Sequence, residues 1–482
     1  MQQLPRWIAG VFLCLSGIVI GASIATRTPW WDEGTYADPA VSLLTKGTLG
    51  STVSGEYTDR YLFRIHDYTY WAPPFYAAGL AAAFRAMGVG VFSMRIYSFA
   101  WGLLALVAWY VVGRRLGGSR AIGLLASAVL ALDFTFLQVS ANGRPDAMVL
   151  GCGSLGLAAY LVLREKNLAR ALLVGWTFGA LAVFTHPSGI MPACDLLLLI
   201  ALLDLRRLRP VHAICALLPF LVLGTVWLSY ILQAPEVFRQ QWASQIGVRT
   251  VTGGSRILDT VTDVYRRYFR YYYWALHGAD RLKILIFAFY GAGFLGVLLT
   301  RRLRSRAGVR AAVLLAVTNY CVLANLDRPA FPHYMVMVFA PFAPICAFWI
   351  ADALENGRAL RWTALGLLAI SAGVSVGGHG AKILANGYKN EFLPVLARIK
   401  PITDRGGVVV AGSEFAFGVG FRSNLTDDRR LGANLAQPPE AIVFNNYDLL
   451  ESQLGPQAVR AGFQKALQNK NFALYERPGG RR

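Results

Sequence analysis

Eleven apolar runs, each close to the length of a bilayer span, leave this chain few ways to fold. They lie at about 7–25, 96–112, 121–138, 146–163, 169–184, 187–203, 213–231, 284–300, 309–325, 334–351 and 362–378. In hydrocarbon every backbone N–H and C=O must be satisfied within the segment, so runs of this kind are read as helices. Composition agrees: 55% of the 482 residues are hydrophobic and 15% are charged, against about 45–50% and about 25% in soluble domains. One further run, 73–87, is ambiguous on hydropathy alone.

Charge decides what 73–87 does. The formal net charge is +20. The cations are clustered between apolar runs: Arg114, Arg115 and Arg120; Arg164, Lys166 and Arg170; Arg206, Arg207 and Arg209; Arg301, Arg302, Arg304, Arg306 and Arg310; Arg358 and Arg361. Such clusters mark cytoplasmic loops, and they argue against nucleic acid as the partner. With a cytoplasmic N-terminus the alternation works only if 73–87 does not cross. It then lies on the outer surface as an interfacial helix, or dips in and returns. Arg85 and Arg95 fall outside.

The expected fold is therefore an α-helical polytopic membrane protein of about eleven transmembrane helices, N-terminus in and C-terminus out. The run after Arg6 exceeds the about 7–15 residues of a secretory h-region, and is read as an uncleaved first span. The transmembrane module covers 1–379, with long outer loops at 26–95 and 232–283. Cys14, Cys152, Cys194, Cys215, Cys321 and Cys346 all sit in apolar runs and read as small core residues.

Residues 380–482 change character. Strands are expected at 406–412, 441–446 and 472–476, with a helix at 455–468, giving a small α/β domain on the outer face. Asn424, Leu425 and Thr426 form a glycosylation triplet of a kind common by chance. In the second outer loop, Tyr265 to Trp274 is aromatic and basic. It suits a headgroup-level helix or a rim guiding a lipid phosphate.

Chemistry concentrates after the first span, where Trp30 and Trp31 precede an acidic pair, Asp32 and Glu33. Carboxylates beside hydrocarbon are costly and tend to be functional. Asp32 also suits the start of a surface helix running to about Lys46, and the two roles are compatible.

This arrangement resembles the GT-C superfamily of integral-membrane glycosyltransferases. The nearest likeness is to the dolichyl-phosphate-mannose protein mannosyltransferases and the bacterial aminoarabinose–lipid A transferases. The resemblance rests on Trp31 to Ala37, then His66 to Tyr76 with its Pro73–Pro74 pair, Arg95 after the surface helix, and Asn142 to Asp146 before the fourth span. It covers most of residues 1–350. It implies a hexosyl- or pentosyltransferase of the cell envelope, in a bacterial inner membrane. Such an enzyme moves a sugar from a polyprenyl-phosphate donor to a hydroxyl or amine of a glycan, lipid or protein acceptor.

By the same resemblance Asp32 is the general base of an inverting reaction, and Glu33 orients it or holds a divalent metal ion. One acidic pair does not define a metal site. The leaving phosphate needs cations or donors. Candidates are Arg144, His186, Arg328 and His333, with His186 and His333 standing where relatives often carry Lys or Arg. Arg144 and Asp146 could equally fasten their loop, as could Asp327 and Arg328. His66 and Asp67, with Asp146, are candidates for substrate or a metal ion, while Asp59 reads as solvated surface. A lipid-linked-sugar transporter or flippase is the alternative function. It would keep charges within its spans, and here Asp133 and Asp195 are the exceptions, near expected span boundaries.

Overall fold

The computed structural model describes residues 6–54, 62–249, 256–270, 278–327, 331–428, 430–433, 435–445 and 450–478. Asp59, Arg328, Asn446 and the 271–274 part of the aromatic run lie outside these residues.

The first helices are α1 (Arg6–Thr26), α2 (Trp31–Lys46), α3 (Phe75–Met87) and α4 (Val91–Gly117). α5 (Arg120–Ala131) and α6 (Phe134–Ser140) form a pair bent by 71°. The break has a local cause: Asp133 stops α5 and caps α6, its Oδ1 accepting the N–H of Phe136 at 2.9 Å. α7 (Pro145–Leu163), α8 (Leu168–Val183), α9 (Ile190–Asp204) and α10 (Pro210–Ile231) follow, then α11 (Pro235–Arg249) and α12 (Arg256–Tyr265). α13 (Ile284–Leu299), α14 (Ala307–Leu326), α15 (Met335–Glu355) and α16 (Arg358–Ala385) complete the bundle.

Among the described residues nine helices are long and apolar enough to cross a membrane, and the bent pair supplies a tenth. α8, a shorter apolar helix of 16 residues, lies where the sequence suggests the eleventh. α3 has 13 residues, a length of about 20 Å against a hydrocarbon core of about 30 Å. It packs on α2 and α4 instead of crossing. Small residues let spans close in: a Cβ at Gly156 in α7 would lie 2.8 Å from the Gly175 carbonyl of α8.

The last span outruns its expected end. α16 continues through 379 to Ala385, where Asn386 takes a left-handed φ of 44°. α17 (Leu393–Asp404) then leads into a five-stranded mixed sheet of order β2-β1-β3-β5-β4. Its strands are β1 (Val409–Val410), β2 (Leu425–Thr426), β3 (Ala441–Asn445), β4 (Gln464–Gln468) and β5 (Phe472–Glu476). β1 runs parallel to β2 and β3, and β5 runs antiparallel to β3 and β4.

The helix expected over 455–468 is corrected. α18 spans Leu450–Arg460, Gly462 turns the chain at φ 88°, and Gln464–Gln468 is edge strand β4. That strand is mostly exposed and lacks the apolar alternation by which strands are recognised.

Alternation along the other strands gives the sheet two apolar faces. Val409, Ala441, Val443, Phe472 and Leu474 join the core that continues into the helices. Val410, Ile442, Phe444, Ala473 and Tyr475 form a smaller core with Ala458 and Phe463. The sheet region docks on α2. Trp31 Nε1 donates to Asp427 at 2.6 Å, Ser413 Oγ donates to the Trp31 carbonyl at 2.7 Å, and Asp427 N donates to the Val53 carbonyl at 3.0 Å. Asn424 is occupied in the sheet, its amide donating to the carbonyls of Thr403 and Gly407.

Candidate active site

The start of α2 builds the site. Adjacent residues on a helix point about 100° apart, so Asp32 and Glu33 go different ways. Glu33 turns inward and is fully buried. Its Oε2 accepts the N–H of Trp30 at 2.9 Å, and its Oε1 accepts the N–H of Gly143 at 2.8 Å. Arg95 in α4 closes a two-pronged pair on the same carboxylate at 2.8 and 2.7 Å. The remaining Arg95 donors reach the carbonyls of Ile24, Arg27 and Thr28 at the end of α1.

One ion pair thus ties the end of α1, the start of α2, α4 and the 142–144 loop together. Burial alone would raise the Glu33 pKa. Arg95 and the Trp30 and Gly143 amides outweigh it and hold the carboxyl below its ordinary value.

Asp32 faces the other way, with 23% of its side chain accessible. It pairs with Arg144, which is itself nearly inaccessible. Arg144 precedes α7. Pro145 begins that helix, and Asp146 sits in its first turn, where a carboxylate suits the helix dipole. Arg144 Nε donates to Asp146 at 2.8 Å, and its Nη2 lies 2.8 Å from His333 Nε2. A guanidinium has no acceptor, so the His333 nitrogen must accept and its ring is neutral. The guanidinium centre lies 4.9 Å from the Trp30 ring and 5.7 Å from the Tyr36 ring.

His333 occupies the one-turn segment Pro332–Tyr334 ahead of α15, packed between Phe331 and Trp30. His186 comes from the turn between α8 and α9, where its Nδ1 accepts the N–H of Ser188 at 3.2 Å. Its ring lies 6.5 Å from Tyr36 and 5.7 Å from Tyr334, centroid to centroid. Four segments far apart in sequence therefore bring Asp32, Arg144, His186 and His333 around one aromatic basket of Trp30, Tyr36 and Tyr334.

His66 and Asp67 do not join this group. Both are exposed; His66 Nδ1 lies 3.0 Å from the Ser51 carbonyl, and Asp67 pairs with Arg64. Asp327 pairs with buried Arg267 at 2.6 Å, which ties the second outer segment to the loop before His333. Asp195 lies inside α9, with Asn319 of α14 donating to it at 2.8 Å, and not at a span boundary. Among the described residues no three His, Cys, Asp or Glu side chains form a group able to hold a metal ion.

Sequence reading missed the rings of Trp30, Tyr36 and Tyr334 as site walls. It also gave Arg95 no partner. The available signal was that Trp30 and Tyr36 flank the acidic pair within one and a half turns of helix.

Residues 72–230 match the family model of the dolichyl-phosphate-mannose-protein mannosyltransferases. The fold is similar to that of ArnT from Cupriavidus metallidurans bound to undecaprenyl phosphate, with a TM-score of 0.62, 15% identity, and 99% of each chain covered. It is also similar to that of the oligosaccharyltransferase AglB from Archaeoglobus fulgidus in complex with an inhibitory peptide and a dolichol-phosphate. There the TM-score is 0.54 at 13% identity, covering 93% of this chain and 70% of that one. An uncharacterized protein of Aquifex aeolicus is 22% identical over 201 residues, 41% of this chain and 38% of that relative's length. The likeness that the sequence suggested is borne out at the level of the fold, which is similar to that of ArnT over nearly the whole chain.

Proposed function

From a GT-C fold with this cluster at its centre, we propose that the chain is a glycosyltransferase that moves a sugar from a polyprenyl-phosphate donor to an acceptor hydroxyl or amine. One observation carries the reading. Asp32 is the accessible carboxylate of a group whose other members, Arg144, His186 and His333, are buried donors or orienting rings. That is the division of labour that sugar transfer to a hydroxyl requires. The polyprenyl phosphates named with ArnT and AglB support the donor class.

In the proposed reaction Asp32 takes the proton of the acceptor hydroxyl. The acceptor oxygen bonds to the anomeric carbon while the bond from that carbon to the phosphate oxygen breaks. The electron pair leaves with polyprenyl phosphate, and attack opposite the leaving group inverts the configuration. Arg144 is fixed in place by Asp146, stacked on Trp30 and steadied by His333, so it meets the developing phosphate charge without reorganising. His186 offers the N–H of Nε2, since its Nδ1 accepts from Ser188. Glu33 is a positioning residue, because its oxygens are already engaged by Arg95 and two amides. No step is assigned to His66, Asp67 or Arg328.

Parity of the basic clusters supports an outer-face site with the sheet region on the same side, facing a bacterial periplasm or cell surface. A cysteine at Phe63, which is 41% exposed, is expected to react with a membrane-impermeant maleimide on intact cells; reaction only after permeabilisation would overturn the outer-face assignment. For the chemistry, membranes holding the wild-type chain are expected to release polyprenyl phosphate from a polyprenyl-phosphate sugar when acceptor is present. Membranes with matched amounts of Asp32→Asn are expected not to, and equal release from both would sink the proposal. The transporter reading predicts movement of intact donor without release.

A further inference from the structure

The spans enclose a polar site that takes no part in the reaction above. It begins with two prolines in α15. A helical carbonyl meets the N–H four residues further on, and Pro341 and Pro344 have none to give. The carbonyls of Met337 and Ala340 thereby lose that donor. Asn319 of α14 takes up the first. Its Nδ2 donates to the Met337 carbonyl at 3.0 Å and to Asp195 Oδ2 of α9 at 2.8 Å. One amide thus ties α9, α14 and α15 together.

Three polar atoms remain around that amide. Among the described residues nothing hydrogen-bonds Asp195 Oδ1, Asn319 Oδ1 or the Nε1 of Trp109 in α4. These side chains are at most 2% exposed, so bulk solvent does not serve them. A polar atom buried without a partner is costly. All three residues line one cavity, with Ser154 of α7 and with Met337 and Ala340. About 10 Å³ of it is open to the centre of a water molecule, which is room for one.

The atoms left over name the ligand. Two oxygens and one N–H call for a molecule that both donates and accepts. Water does so, giving hydrogens to Asn319 Oδ1 and Asp195 Oδ1 and taking one from Trp109. With two hydrogens and two lone pairs it fits equally well if Asp195 carries a proton. A bare cation would face the positive end of the Trp109 N–H.

The position of the cavity gives it a use. α7 starts directly after Arg144, α9 after the turn that holds His186, and α15 after the segment that holds His333. Asp195 lies nine residues past His186, and Met337 four past His333. We propose that Asp195, Asn319 and Trp109 bind one water molecule inside the bundle, and that this bridged cluster positions the helices whose ends carry Arg144, His186 and His333. Asp195 and Asn319 are positioning residues, since they act through α9 and α15. The water site stands apart from the transferase reading; its effect on turnover rests on that reading.

The test starts from a wild-type map of the full-length protein in lipid nanodiscs, at a resolution that shows ordered waters. One water is expected within hydrogen-bond distance of Asp195 Oδ1, Asn319 Oδ1 and Trp109 Nε1; no density there would overturn the proposal. A thermal midpoint that falls when sodium and potassium are replaced by N-methylglucamine would overturn water in favour of a cation. Asp195→Leu fills similar space without polar atoms. It is expected to lose the water and to lower kcat about tenfold, with the KM for donor within about twofold of wild type. Asp195→Asn puts an oxygen and an N–H in the same place, and is expected to hold the water and recover most of that loss. If Asp195→Leu does not fold, Trp109→Phe gives the same reading, because it removes the water's donor and cuts no bond between helices. Unchanged kcat in the variants that lose the water, or an equal loss in Asp195→Asn and Asp195→Leu, would overturn the positioning role. The map reads the water without any sugar transfer, so failure of this proposal and failure of the transferase reading are separable.

Discussion

At the residue scale, two neighbouring carboxylates divide structure from chemistry. The sequence brings Asp32 and Glu33 to notice together, because both sit beside hydrocarbon, where acids are rare. It does not tell them apart, because Glu33 is defined by Arg95, 62 positions away, and by an amide of a loop further still. Removing one partner of such a buried pair strands the other charge and costs about 3–5 kcal/mol. Glu33→Gln is therefore expected to lower the thermal midpoint in detergent markedly, with Asp32→Asn nearly neutral in the same assay.

The pH dependence follows from the direction of the Glu33 shift. A carboxyl held below its ordinary value in the folded chain stabilises the fold fully above the unfolded value of about 4.3. That contribution is lost as pH falls through the folded value. The wild type is thus expected to lose stability on the acid side with a component that is missing in Glu33→Gln; superimposable acid limbs would count against it. Arg144→Lys keeps a charge but not the planar fork that meets Asp32, Asp146 and His333 together. It is expected to lower turnover by at least about tenfold, and to lower the thermal midpoint less than Glu33→Gln does, because the charge opposite Asp146 is kept.

At the element scale, α2 is a plate between the helical bundle and the sheet region, and Gly34 is its point of closest approach. A Cβ there would fall on the backbone carbonyl of Ser413. Gly34→Val is expected to push the sheet region off α2, seen as faster proteolysis within 380–482 and loss of sugar transfer; an unchanged cleavage pattern would refute the contact. Elements were legible where one physical signal dominated. Loop charge kept 73–87 out of the span count, and its helix α3 is indeed too short to cross. The signal failed for β4, an exposed edge strand whose residues carry no apolar alternation and whose turn depends on Gly462. It also failed for the end of α16, which runs beyond the expected last span.

At the scale of the whole molecule, the core does not stop at residue 379. Phe392, Val395, Phe415 and Phe472 belong to the same apolar cluster as the spans, and Trp31 is hydrogen-bonded to Asp427. Truncation after residue 385 is expected to leave little folded protein in the membrane rather than a working bundle without its sheet region; normal accumulation of the truncated chain would contradict this. Convergence at this scale was only half readable. Alternation of loops could put Asp32, Arg144, His186 and His333 on one side. That they share one basket is a product of tertiary packing, as is the choice of Trp30, Tyr36 and Tyr334 for its walls.

The central claim is that Asp32 acts in the reaction and not in holding the donor. The direct measurement is a comparison of wild type and Asp32→Asn in which polyprenyl-phosphate binding and sugar transfer are measured on the same preparation. The predicted result is polyprenyl-phosphate binding within a few-fold of wild type and transfer lowered by about 10²–10⁴. Retained transfer, or a loss of binding that accounts for the whole loss of transfer, would contradict it.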